Sequence, residues 1–222
     1  MSLLPANSFT WAGELNCKEL LLHHGPGYLQ DLAVDRILDF ASGPCEEITQ
    51  LAPGAKEFHF LDSHFLPPPR PGYRLHRQSA GSPLPLPDHY LDVVVSNGSF
   101  DHFRPEERLA AFLEIERCLR PGGRFLFACE YFDYDSPDFF LRTQTDADMV
   151  ARNCQAFDNI NLPAILARLT RLRILQQDWS VLPHGQPLHE LIPPDRTRVY
   201  SVPSAHGLMV TWAAFFTVFQ KI

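Results

Sequence analysis

The sequence predicts an α/β fold built on a mainly parallel sheet, and three observations carry that prediction. Apolar runs of strand length alternate with stretches of helix length through the middle of the chain. The run Leu91–Ser96 (LDVVVS) is short and valine-rich, as expected of a strand covered on both faces. The breaks between runs carry the proline and glycine signals that start and stop helices, and parallel neighbours need such helical crossovers.

Residues 1–33 are expected to form helices over one edge of the sheet. Arg36–Ala41 (RILDFA) reads as the first strand and ends at the turn Ser42-Gly43-Pro44. A helix is expected from Pro44, with Glu46 and Glu47 in its first turn and Pro53-Gly54 as its stop. Glu57–Leu61 (EFHFL) alternates into a second strand closed by Asp62, and Tyr73–Gln78 forms a third. After the fourth strand, Leu91–Ser96, a helix opens at Pro105. Glu106 and Glu107 sit at its positive end and Arg117 and Arg120 at its negative end. Leu109, Phe112, Leu113 and Leu119 fall near one stripe of that helix, and Pro121-Gly122-Gly123 stops it. Arg124–Cys129 is the fifth strand. A helical stretch near Pro163–Thr170 precedes two further strands, Leu172–Val181 and Leu208–Gln220, separated by a Pro-rich insertion at 182–206.

The bulk numbers bound the function. A length of 222 residues with 45% hydrophobic content suits one domain, 1–222, with a sizeable core. The balance of 19 basic and 26 acidic residues, net −7 and without a basic cluster, argues against a nucleic-acid partner. Five scattered cysteines without a CxxC motif give neither a disulfide framework nor a thiolate zinc site, and a reduced cytoplasm is the expected location. The N-terminal residues lack the pattern of a signal peptide. The most apolar run, Gly207–Phe219, is shorter than the ~20 residues of a spanning helix, so no membrane association is expected. No HExxH, GxSxG or GKS/GKT motif occurs, so no metal, hydrolase or NTPase site is predicted.

The chemistry-bearing segment is Asp39-Phe40-Ala41-Ser42-Gly43-Pro44-Cys45, between strand and helix. Ala41, Ser42 and Gly43 are small enough for a ligand to approach the backbone closely. A dinucleotide fingerprint would place glycines at Ala41 and Cys45, and a pyrophosphate would meet Glu46 and Glu47. A phosphate-free cationic ligand avoids that conflict. Asp62 stands nineteen residues after Gly43 at a strand end, where an acid commonly accepts hydrogen bonds from ribose hydroxyls. The alternatives are an ordinary tight turn and a solvated loop aspartate.

The succession ILDFASGP, FHFLD, LPLPDHYLDVVVSNGSFDHF and FLEIERCLRPGGRFLF resembles class I S-adenosylmethionine-dependent methyltransferases from about Arg36 to Cys129. That resemblance implies a Rossmann-like three-layer sandwich, with a mainly parallel seven-stranded sheet and a reversed C-terminal hairpin. It implies S-adenosylmethionine as cofactor and a small-molecule substrate, and a homodimer is compatible with it. Asp39, Ala41, Ser42 and Gly43 would line the methionine part, Asp62 the ribose, and Ser79, Ala80 and Gly81 the adenine. Asn97 and Gly98 would face the cofactor from the other side. His102 would stand near methyl transfer and could take a proton, or it could cap the next helix. Tyr131 and Phe132 would line the substrate entrance, or bury themselves. Two departures stand out: the glycine turn keeps only its middle glycine, and the acid the family often carries near Ser79 is absent. Rival readings are a non-catalytic partner subunit, a methyltransferase fold recruited for another reaction such as cyclisation, and a dehydrogenase.

Overall fold

The computed structural model describes residues 17–100, 103, 105–133, 165, 167–175, 198–201 and 209–222. Within them the elements are helix α1 (Cys17–His24), a 3-10 turn (Gly25–Tyr28), β1 (Arg36–Phe40), α2 (Glu47–Leu51), β2 (Glu57–Asp62), β3 (Tyr73–Arg77), β4 (Leu91–Asn97), α3 (Pro105–Cys118), β5 (Leu119–Asp133), β6 (Leu172–Ile174), β7 (Arg198–Ser201) and β8 (Met209–Lys221).

The strands form one sheet in the order β3-β2-β1-β4-β5-β8-β6, which is the expected mainly parallel seven-stranded sheet with a reversed end. The pairs from β3 through β5 are parallel, whereas β8 runs antiparallel to both β5 and β6. An eighth strand, β7, lies off that path and pairs antiparallel with the first part of β8. It falls inside the segment read from sequence as an insertion; tertiary pairing to the long β8 supplies what local composition did not advertise.

Both faces are covered. Leu38, Phe40, Val94, Phe125 and Phe127 point to the face under α3, where Phe112 and Ile115 meet them. Ile37, Phe60, Val93, Val95 and Leu126 point the other way, toward Leu21 of α1 and Ile48 and Leu51 of α2. His24 and Tyr28 lie against Phe216, and Arg124 holds the Asp31 carboxylate through two bonds of 2.6 and 2.8 Å. The N-terminal helix therefore lies on a face of the sheet rather than along its edge.

At the end of the sheet where β1 and β4 begin, Asp92 fixes their relative height. Its Oδ2 accepts the Asp35 and Arg36 N–H groups at 2.8 Å, and its Oδ1 accepts Arg120 Nε at 2.6 Å. The β4–β5 ladder continues from there to Asn97 opposite Ala128. The opposite, carboxyl ends of β1, β2 and β4 are left to form a cleft.

Candidate active site

The cleft grows from the turn after β1. Ser42 N–H donates to Leu61 O at 3.0 Å, which pulls the turn against the end of β2. Ala41 (φ 60°) and Gly43 (φ 56°) both adopt left-handed backbone there, a conformation costly for alanine and free for glycine. The turn is longer than the sequence predicted: Cys45 N–H returns to Ser42 O at 3.3 Å, and α2 opens only at Glu47 instead of Pro44. That delay separates the two glutamates. Glu46 turns toward the Tyr73 hydroxyl (2.7 Å) and Arg70 (3.0 Å), whereas Glu47 is buried, lines the cleft and pairs with Lys18 at 2.7 Å.

Asp62 joins the loops that follow β1 and β2. Its Oδ2 accepts Gly43 N–H at 3.0 Å, and its Oδ1 accepts the N–H groups of His64 and Phe65 at 2.8 and 2.9 Å. Gln78 N–H in turn donates to Asp62 O at 3.1 Å, so the loop after β3 starts beside the same acid. From the other side, Ser99 Oγ donates to Ala41 O at 2.9 Å, and Phe100 packs on Phe40 with centroids 5.7 Å apart.

These contacts enclose a cleft of about 810 Å³, large enough for a nucleoside-sized ligand. Asp39, Ala41, Ser42, Gly43, Asp62, Ser79, Ala80 and Asn97 all line it. Gly98 does not; its N–H is tied to Ala128 O at 2.8 Å beside β5. His102 lies outside the described residues. Tyr131 and Phe132 belong to β5 opposite Ala213 and Trp212, and their side chains lie outside the described set. Sequence reasoning missed Glu47, Phe65, Ser99, Phe103 and Glu107 as lining residues. Phe65 carried a readable signal, an aromatic three residues beyond the acid; Glu107 carried only its helix position.

The electrostatics select a kind of ligand. Four of the lining residues are acidic (Asp39, Glu47, Asp62 and Glu107), and none is Lys or Arg. Burial first, then Glu47 and Asp62, hold the Asp39 carboxyl well above the ordinary carboxylate range. A polyphosphate would meet these carboxylates with no lysine or arginine in the lining to receive it. A sulfonium or ammonium group would suit them, so this donor set fits S-adenosylmethionine, the cofactor of the class the sequence resembles. Among the described residues, no group of three or more His, Cys, Asp or Glu is placed to hold a metal ion, and no helix is long and apolar enough to cross a membrane.

Comparison with known proteins bears on the domain and its fold. Residues 38–127 match a family model described as a methyltransferase domain. No curated protein matches. Among solved structures, the YcgJ protein of Bacillus subtilis is 17% identical with a TM-score of 0.56, over 90% of this chain and 98% of that one. The geranyl diphosphate C-methyltransferase of Streptomyces coelicolor A3(2) is 12% identical with a TM-score of 0.52, over 90% of this chain and 77% of that one. That enzyme was solved with geranyl diphosphate, Mg2+ and S-adenosyl-L-homocysteine. A chain from the complex between the Trm112 methyltransferase activator of Haloferax volcanii and a putative methyltransferase is 15% identical with a TM-score of 0.50, over 100% of this chain and 99% of that one. Residues 38–127 thus resemble a methyltransferase domain, and the chain shares the fold of these solved structures, with the sheet order that the resemblance implied.

Proposed function

We propose that the protein transfers the methyl group of S-adenosylmethionine to an oxygen, nitrogen or carbon nucleophile of a small molecule. One observation carries the reading: the acid-lined cleft is framed by a direct bond from Gly43 N–H to Asp62, the pair that the sequence spacing singled out. When bound, the cofactor supplies an electrophilic methyl group on a sulfonium. The chain's own work is to orient and to exclude water. Asp62 retains lone-pair capacity for ribose hydroxyls beyond its three backbone bonds. Asp39, Ala41, Ser42 and Gly43 face the methionine portion and Asn97 bounds it from the end of β4, while Ser79 and Ala80 flank the base. His102 accepts the nucleophile's proton where one must leave, and Tyr131 and Phe132 wall the substrate. The named substrate of the Streptomyces neighbour supports a small molecule as acceptor.

A second reading, in which the chain works with or for a partner subunit, is favoured by its full-length likeness to a chain of the Trm112 complex. Titration calorimetry with S-adenosylmethionine and S-adenosylhomocysteine, with NAD as control, separates the two. Micromolar binding that weakens at least tenfold in Asp62→Ala (about 1.4 kcal/mol) supports the enzyme reading. No binding of either compound by folded protein refutes it for the isolated chain and directs attention to a partner.

A further inference from the structure

The loop after β3 carries no acid, yet a carboxylate stands at that end of the cleft. Glu107, in the first turn of α3, lines the cleft together with Ser79 and Ala80. Its neighbour Glu106 is exposed, so α3 turns one of the two glutamates of its first turn inward. The loop is built to receive it. Ser82 N–H closes a tight turn on Ser79 O at 3.1 Å, with Ala80 and Gly81 at its centre. Gly81 is not in the left-handed region, so the backbone there does not require glycine. Packing is tight instead: a Cβ at Gly81 would lie 3.0 Å from Glu107 Cγ and 3.4 Å from Glu107 Cβ, and the glutamate would have to give way. The missing side chain leaves the space in which Glu107 sits against the turn.

We propose that Glu107, reaching from α3 across the space left by Gly81, accepts a hydrogen bond from the 6-amino group of the cofactor's adenine and so sets base specificity. The inference rests on the cofactor reading above. Its logic is the placement of an acceptor-only group at the base end of a cleft whose ribose end is marked by Asp62, the two ends being joined through the bond from Gln78 N–H to Asp62 O. A carboxylate accepts from an exocyclic amine and repels a carbonyl. The site should therefore distinguish adenine from a 6-oxo purine without any acid on the loop after β3.

Calorimetry of the full chain with S-adenosylhomocysteine and its 6-oxo analogue, S-inosylhomocysteine, tests this. The wild type should prefer the amino compound by at least about tenfold. In Glu107→Ala that ratio should fall to about threefold or less. Glu107→Gln, nearly isosteric and able to turn its amide N–H toward a carbonyl, should bind the 6-oxo compound more tightly than the wild type does. Gly81→Ala, which crowds Glu107, should narrow the ratio as well. A merely structural role would weaken both ligands equally and leave the ratio intact. A wild type that binds S-adenosylhomocysteine without preference, or a ratio unchanged in both Glu107 variants, overturns the assignment while leaving the cofactor reading standing. Folded wild type that binds neither compound overturns both.

Discussion

Acidification should destabilise this protein through one buried imidazole. His59 on β2 is 3% exposed, with Nδ1 3.0 Å from His76 Nε2 and Nε2 3.2 Å from Glu57 Oε2. Tyr90 donates its hydroxyl to the same Glu57 oxygen at 2.7 Å, its ring edge faces His59, and Arg74 adds a nearby positive charge. Glu57 favours a charged ring, but burial, with His76 and Arg74 adding to it, outweighs that and pushes the His59 pKa down from 6.5 to about 4. The unfolded chain thus binds the proton more readily. The neutral ring's contribution is complete above pH 6.5 and is lost progressively as pH falls toward 4. Linkage puts the loss between pH 7 and pH 5 at no more than about 2 kcal/mol. Urea unfolding of wild type and His59→Gln at those two pH values measures it, since glutamine keeps a donor and an acceptor but does not titrate. Carboxylates held low by arginine, such as Asp31 and Glu114, contribute equally to both proteins and cancel in the comparison. Equal losses in the two proteins, within about 0.5 kcal/mol, would refute the reasoning.

Two further perturbations probe the cleft and its support. Asp39→Asn removes a costly buried acid, so the ligand-free protein should melt higher. Its affinity for the sulfonium S-adenosylmethionine should fall several-fold more than that for the thioether S-adenosylhomocysteine, as read by calorimetry on both. Lys221 is buried at the end of β8, where Nζ donates to Glu116 O at 2.6 Å and Arg117 O at 3.2 Å and contacts His89 Nδ1 at 3.0 Å, covering the last carbonyls of α3. Lys221→Met leaves Glu116 O without that donor. Unfolding free energy should drop by about 2 kcal/mol and Tm by roughly 4–8 °C, measured by thermal melts.

The sheet was legible because its strands write their burial locally. Ile37, Leu38 and Phe40, like Val93 to Val95, are apolar on both faces, and only a central parallel strand needs that pattern. Asp62 was legible for a related reason: one strand, one turn, one short helix and a second strand fix the spacing at which an acid meets Gly43. The start of α2 was misplaced because Pro44 is an adequate first helical residue in isolation, and the long-range bond from Ser42 N–H to Leu61 O that draws out the turn has no local signature. The same holds for β7, whose pairing to β8 is decided by the partner strand, and for Glu107, brought to the cleft by the docking of a whole helix. Contacts between segments far apart in sequence are decided by packing, which a local pattern does not encode.

The carboxylate of Asp62 has a thermodynamic consequence beyond its place in the fold. Three backbone N–H groups already fix both of its oxygens, so ordering this carboxylate falls on folding and not on ligand capture. For this one side chain, capture of a ligand carries no conformational-selection tax.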